Sequence, residues 1–548
     1  MEVQCCQVVP TEDGLDMYPA SQWIDLVQLA AAEALAIPTQ TINVKVRRLG
    51  GGFGGKVSRP AMLSTAAALA AYKLRRPVKI WLPFITNMNV MGKRYPLLCK
   101  YEVAVNAQGV IQYLKADLYS DFGVGGNDTI DNILVDSFQN TYVTDTWSFS
   151  TYQVTTDTHA NTWTRSPGTL EGMGAIESIF EQISYEMNLD PIQVRLANTD
   201  KIKHAKIMDY WKDIQTWADI PARQQAINNF NKQNRWKKRG MSLVPMAWIF
   251  GFLGNFSVLV SIVHGDGGIM VSHGGIEMGQ GINTKVAQVT AFKFGVSLDK
   301  VQVKPSSNLV AVNSSTTGGS LTSEAVVYSV ITACDTLIGR MKPVREKMNN
   351  PTWEQLVAKC FSQNIQLTAS GFFQTNSPSA QTYPIYGICA TEVEVDILTG
   401  QKIIHRVDII EDVGDSMSPL VDIGQTEGAF VMGIGYYTLE QCIFDSEGRL
   451  TSNRTWNYKV PGMMDIPVNY RIKFPHKNPN PVGILKSKAT GEPPTCLSIS
   501  VPLAIRRAMA SAREEADPNQ PKWVPFDETT STDFTFRHSL NHYNDYVI

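Results

Sequence analysis

The run Arg47-Arg48-Leu49-Gly50-Gly51-Gly52-Phe53-Gly54-Gly55-Lys56 restricts this chain more than any other stretch. Five glycines surround one aromatic residue. Glycine reaches positive φ and lets backbone approach a ligand closely, and consecutive N–H groups at such a turn can form an anion-binding concavity. Before the loop, Ile42, Val44 and Val46 alternate with polar residues, as on a half-buried strand. After it, Ser58 is placed to cap, and Pro60 to open, a helix over Ala61–Leu74. Strand, glycine loop and helix start predict a place where an anionic group is held. A tight structural turn is the plainer alternative. Neither the phosphate loop nor G-x-G-x-x-G fits the spacing.

At 548 residues, with 43% hydrophobic and 18% charged, the chain can bury large cores and is not disordered in bulk. A net charge of −2 and the lack of a long basic run exclude nucleic acid as an expected partner. The eight cysteines form no C-x-x-C pair and the histidines no H-E-x-x-H pair, so zinc ribbons, iron–sulfur runs and that protease site have no support. Scattered thiols suit a reducing compartment, hence a cytoplasmic expectation. No apolar run has the length of a membrane span, so no membrane is expected as a partner. The triplet Asn127-Asp128-Thr129 then reads as a chance match to a glycosylation site.

Apolar spacing predicts helices over Gln22–Ile37, Gly172–Leu189, Ala222–Arg235, Thr284–Phe294, Leu321–Met348, Trp353–Phe361, Gln425–Glu440 and Cys496–Ala516. Strands are predicted over Val78–Leu82 and Lys100–Val105. Hairpin signals join Phe256–Val263 to Ile269–His273, and Ile388–Ile397 to Lys402–Ile410. The polar segment Asn198–Gly240 marks a boundary, and Trp236-Lys237-Lys238-Arg239 reads as a solvated helix end. Strands and helices in separate runs make the class α+β.

Four further glycine segments precede helices: His273–Gly281, Thr316–Ser320, Asp422–Gln425 and Lys488–Pro494. Each alone is an ordinary helix start. Together they describe backbone and amide donors at several helix N-termini, which suits a large anionic cofactor better than a metal held by side chains. Glu492 lies between a glycine and Pro493-Pro494, which should hold it extended. It is either a helix-dipole partner or a general base.

Gly50–Lys56, His273–Gly281, Asp422–Gln425 and Gly491–Pro494, in this order, resemble the molybdenum-cofactor domain of the xanthine oxidase/aldehyde oxidase family. The resemblance implies two elongated molybdopterin-binding subdomains, 1–200 (incomplete at its start) and 201–548. It implies that Gln22, Phe53, Arg165 and Gly319 lie near molybdenum without ligating it through side chains. Gln22 matches a glutamine that hydrogen-bonds a ligand of the metal, and Phe53 and Gly54 the loop facing the metal. Gln280, Gly318, Gly319, Ser320 and Gln425 match segments that hold the pterin and its phosphate or nucleotide, and Glu492 matches the catalytic base.

The substrate pocket departs from the purine-oxidising pattern. Val57 stands where those members carry glutamate, and Ile133, by ungapped distance, where they carry arginine. Pro167 replaces an aromatic clamp. Trp248, Phe250 and Phe252 either line the opposite wall or form an apolar strand face. Unpaired polar contacts would weaken purine binding greatly, so the resemblance points to an aldehyde oxidase, closest to insect members. It implies aldehyde oxidation to carboxylic acid with oxygen from water. Electrons would pass through 2Fe-2S clusters and FAD to dioxygen in a homodimer. Those domains precede the molybdenum domain in the family, so Met1 reads as an internal methionine and the chain as partial. A xanthine dehydrogenase-type purine hydroxylase and an inactive cofactor-binding fragment are the alternatives.

Overall fold

The computed structural model describes residues 2–126, 128–378, 380–476 and 478–541. Met1 and Asn127, read above as an internal start and part of a chance triplet, lie outside the described residues.

The first sheet is built from β1 (Cys5–Pro10), β2 (Leu15–Pro19), β3 (Ile42–Val46) and β4 (Val78–Trp81). These four run in the order β3-β2-β1-β4, with β2 and β3 parallel. Helices α1 (Ile24–Leu35) and α2 (Arg59–Leu74) bury Val27, Ala31, Ala67 and Ala71 against Val8, Met17 and Val44. Small alanines let the helices approach one another and the sheet closely. Ser58 precedes α2, but its hydroxyl donates to Asp128 Oδ2 at 3.1 Å and caps nothing, because its backbone is already helical. The short α3 (Phe84–Val90) leads to a second sheet.

That sheet contains β5 (Leu97–Val105), β6 (Ile111–Gly123) and β7 (Trp147–Thr155), with α4 (Asp131–Gln139) between the last two. Its apolar face packs on α4 and α5 (Thr169–Glu186) through Leu114, Leu118, Phe138 and Phe180. The chain then continues as α6 (Pro191–Asn198), α7 (Ala205–Trp217) and α8 (Ile220–Gln233). Asp190 caps α6 by accepting from Ile192 and Gln193.

β8 (Lys237–Phe250), β9 (Phe256–Ile262) and β10 (Ile269–His273) follow. The Trp236–Arg239 cluster is therefore not a helix end but the entry to a strand. Lys238 is buried and paired with Glu515, and Arg239 lies 2.9 Å from Glu394. After α9 (Ile282–Phe294) come β11 (Val301–Val303), β12 (Ser306–Ser307), α10 (Thr322–Arg345), α11 (Trp353–Ser362) and β13 (Thr368–Phe373). The third sheet runs β11-β10-β9-β13, with β10 and β11 parallel. β12 instead pairs with β3, so a strand from the second half of the chain joins the first sheet.

β14 (Tyr383–Asp396), β15 (Lys402–Glu411) and β16 (Asn469–Lys473) join β8 in the fourth sheet, ordered β16-β15-β14-β8. α7 and α8 contribute to the core on one side, while α14 (Ser500–Ala516) packs against β8 and β14 through Ala504, Ile505 and Ala508. β8 is buried along nearly its whole length, which removes the alternation that marks a half-exposed strand. Trp248, Phe250 and Phe252 belong to the large core rather than a pocket wall, with Phe250 stacked on Tyr383 at 4.4 Å between ring centres. α12 (Pro419–Thr438), α13 (Pro493–Leu497) and α15 (Thr532–His538) complete the described elements. Among the described residues no helix is long and apolar enough to cross a membrane.

Candidate functional site

The glycine loop after β3 is strained where the sequence requires it. Phe53 has φ 53° and Gly54 φ 99°. A Cβ on Gly54 would lie 2.4 Å from the Trp163 carbonyl oxygen, so only glycine allows the approach. The loop's donors face inward. Gln22 Oε1 accepts from Gly54 N at 3.0 Å and Lys56 N at 3.2 Å, while its Nε2 donates to the Thr317 carbonyl at 2.7 Å. One Nε2 hydrogen of Gln22 remains for a ligand. The expectation that these loop amides grip an anion is thus corrected at Gly54 and Lys56, whose N–H groups are spent on Gln22. Phe53 stays 38% exposed, and its carbonyl accepts from Arg165 N at 2.6 Å.

Arg165 is the junction of the site. Its Nε donates to the Gly491 carbonyl at 2.6 Å. Its Nη2 reaches both the carbonyl and the side-chain oxygen of Gln425, each at 3.0 Å. Burial pushes its guanidinium down to about 10, against the pull of Glu492, so it stays charged at neutral pH. Arg94, which the sequence did not single out, donates at 2.7 Å to the carbonyls of Thr164 and Arg165 and fixes this strap.

Glu492 is buried beside that junction. Its Oε1 accepts from Ser166 N at 2.8 Å and its Oε2 from Ser320 Oγ at 3.1 Å, while Ser166 Oγ donates to its carbonyl at 2.7 Å. It is not extended, as Pro493 had implied, but lies in the helical region at φ −111° and ψ −37° as the residue before α13. The disfavour of helical backbone before proline is overcome by these three bonds. Ser166 was missed because its φ of 67° and its contact with Glu492 leave no mark in local sequence.

The helix starts differ. α12 begins at Pro419, so Gln425 lies inside the helix rather than ahead of it. At α9, Glu277 fills the first turn itself, its carboxylate accepting from Gly279, Gly281 and Asn283 N. Gln280 is likewise turned inward, bonding Met278 N and the Ile276 carbonyl at 2.8 Å each. This α9 start is therefore not an open anion site, contrary to the reading of His273–Gly281. α10 is the reverse. Among the described residues the N–H groups of Gly319, Ser320, Thr322 and Ser323 have no partner, and Thr316 Oγ1 and Ser323 Oγ are also unpaired. An added Cβ would meet nothing within 4 Å at Gly318 or Gly424.

These groups fit a bulky anionic cofactor. Free amides at the start of a long helix carry positive potential, open glycines leave room, and Arg165 adds a charge. Among the described residues no group of three or more His, Cys, Asp or Glu could hold a metal ion. Of the pocket candidates, Val57 is buried and Pro167 half-buried beside Ser166. Ile133 lies on α4, 42% exposed, one turn from where α4 meets Gly168.

Residues 1–199 and 213–467 each match a family model described as a molybdopterin cofactor-binding domain. The chain is 35% identical over 552 residues to the xanthine dehydrogenase/oxidase of Gallus gallus, covering 95% of this chain and 40% of that protein. It is also 35% identical to an indole-3-acetaldehyde oxidase of Arabidopsis thaliana, covering 94% of this chain and 41% of the relative. The chain thus spans about 40% of the length of these relatives. Quinoline 2-oxidoreductase from Pseudomonas putida has the same fold, with TM-score 0.86 at 19% identity over 98% of this chain and 74% of that one. Aldehyde oxidoreductase from Desulfovibrio desulfuricans gives TM-score 0.82 at 18% identity over 98% and 59%. The α+β fold, the open start of α10 and these matches agree, and the chain belongs to the xanthine oxidase/aldehyde oxidase family, of which it carries the molybdopterin-binding domain.

Proposed function

We propose that this chain is the molybdenum-bearing part of a hydroxylase that oxidises aldehydes to carboxylic acids with oxygen from water. The observation that carries this is the continuous run of contacts from Gln425 through Arg165, Gly491 and Glu492 to Ser320, which leaves one carboxylate fixed beside the free start of α10. Gly318, Gly319, Ser320 and Gln425 would hold the pterin and its phosphate, while Gln280, bonded inward to Met278 N and the Ile276 carbonyl, would shape the neighbouring turn. Gln22, Phe53, Gly54 and Arg165 would border the metal. Bound molybdenum-molybdopterin supplies the two-electron oxidant.

Glu492 then accepts the proton released as oxygen is delivered to the substrate carbon. Its two carboxylate oxygens are already oriented by Ser166 N and Ser320 Oγ, so its position costs little to organise when substrate arrives. Arg165 stabilises negative charge growing nearby. Val57 and Ile133 offer alkyl groups in place of charged purine contacts, and Pro167 offers no aromatic face. These residues favour a carbonyl compound with an apolar tail. The electrons would leave through 2Fe-2S and FAD domains to dioxygen, in a cytoplasmic homodimer.

Similarity to a xanthine dehydrogenase/oxidase gives purine hydroxylation standing as a second reading. The test is Glu492→Gln in protein loaded with molybdenum, assayed on an aromatic aldehyde and on hypoxanthine. Loss of about 10²–10⁴ in aldehyde turnover at unchanged molybdenum content is expected. Turnover within tenfold of the parent would refute the base, and efficient hypoxanthine oxidation would replace the aldehyde reading.

A further inference from the structure

Arg47 and Arg48 open the glycine loop, yet neither joins the contacts around Arg165. They line a cleft of about 280 Å³ together with Asn283, Gln302 and Lys304. It lies where β3 ends, beyond the carboxyl ends of the parallel pair β10 and β11, and beside the first turn of α9.

The electrostatics are one-sided. Three cationic side chains line the cleft and no carboxylate does. Among the described residues Arg47 and Arg48 have no hydrogen bond, ion pair or ring contact. Lys304 Nζ meets only a neutral acceptor, Gln302 Oε1, at 2.5 Å. Asn283 Oδ1 is taken by His273 Nε2 at 3.0 Å, which leaves the Asn283 amide hydrogens free. Like charges around a concavity repel one another and focus a positive potential. The nearby α9 start cannot relieve them, because Glu277 is already committed to its amides.

We propose that this cleft binds the phosphate or pyrophosphate group of a small molecule. Paired guanidinium forks suit phosphate oxygens bidentately. The volume corresponds to about nine waters, enough for a phosphorylated small molecule and too little for a folded partner. Two sources share this chemistry: a free phosphorylated metabolite, and a phosphate-bearing extension of the cofactor itself.

The experiment is calorimetric titration of inorganic pyrophosphate into the 548-residue protein at low salt, with and without bound molybdenum cofactor. Saturable binding is expected, weakened at least tenfold in the double variant R47Q/R48Q and several-fold in K304Q, with circular dichroism unchanged. Binding that persists in loaded protein assigns the cleft to a free metabolite. Binding seen only without cofactor assigns it to the cofactor's own extension. Absence of saturable binding in the parent, or unchanged affinity in R47Q/R48Q, overturns the proposal. If R47Q/R48Q does not fold, unchanged affinity in K304Q overturns it. Equal competition by a polyglutamate peptide would overturn it in favour of an acidic protein partner.

Discussion

Arg165→Lys isolates geometry from charge at the junction of the site. The arginine makes three bonds to oxygen, to the Gly491 carbonyl at 2.6 Å and to two Gln425 oxygens at 3.0 Å, besides a contact from Nη1 to the Met432 sulfur. A lysine keeps the charge but presents one ammonium at a different reach, which can replace at most one of them. Two hydrogen bonds from a charged donor are lost, worth about 1.5–3 kcal/mol each. If the whole loss of about 3–6 kcal/mol appeared in positioning, turnover would fall about 10²–10⁴-fold, since each 1.4 kcal/mol is a decade. Part of it will appear as lower stability, because Gly491 and Gln425 acceptors are left facing each other unpaired. The expected result is therefore a fall of at least tenfold in kcat/KM for an aldehyde, per bound molybdenum, with a lower Tm. Because Gly491 precedes Glu492 directly, the change should fall mainly on kcat. Aldehyde turnover within threefold of the parent at normal molybdenum content would refute the claim that Arg165 holds Glu492 in place.

Two further outcomes follow from carboxylates. Burial pushes Glu171 up to about 7, with Arg94 and the backbone N–H groups of Glu171 and Gly168 opposing. Its folded value exceeds its unfolded one, so its contribution favours the fold below about pH 4.5 and is lost as pH rises to about 7. Glu171→Gln should remove that loss and raise stability at pH 8 relative to the parent by up to about 3 kcal/mol; denaturant melts with no gain at pH 8 would refute it. Glu277→Gln should lower Tm through about 1–2 kcal/mol, because the amides of Gly279, Gly281 and Asn283 around the α9 start then lose a charged acceptor, and an unchanged melting curve would show that the α9 start needs no anion.

Much of the fold was legible because glycine and proline punctuate it. The hairpin of β9 and β10 and that of β14 and β15 appear where turn residues separate apolar runs. α5, α9, α10 and α11 fall within a few residues of their apolar periodicity. β6, β7, β8, α4 and α7 were not seen. β8 is buried along nearly its whole length and shows no alternation. α7 lies in a polar stretch whose apolar residues, Ile207, Tyr210, Trp211 and Ile214, form only one stripe. At the site, the individual glycine loops and Glu492 were visible. Their mutual bonds were not, because Arg165 and Glu492 are joined through residues 326 positions apart.

The contrast between α9 and α10 explains why similar glycine segments do different work. Both follow turns rich in glycine, and both begin long or medium helices whose first amides carry positive potential. At α9 the chain brings its own anion: Glu277 precedes Asn283 closely enough for one carboxylate to take three N–H groups. At α10 the preceding residues, Thr316 to Ser320, contain no acid, and the hydroxyl of Ser320 turns away to Glu492. The first start holds a carboxylate on its amides before any ligand arrives; at the second, Glu324 in the first turn accepts from Tyr383 instead, and the amides stay open. A glycine loop therefore marks an anion site only where the chain withholds its own carboxylate. Here that leaves the free amides of α10 and the oriented carboxylate of Glu492 linked by a single serine, so whatever fills the one must be felt at the other.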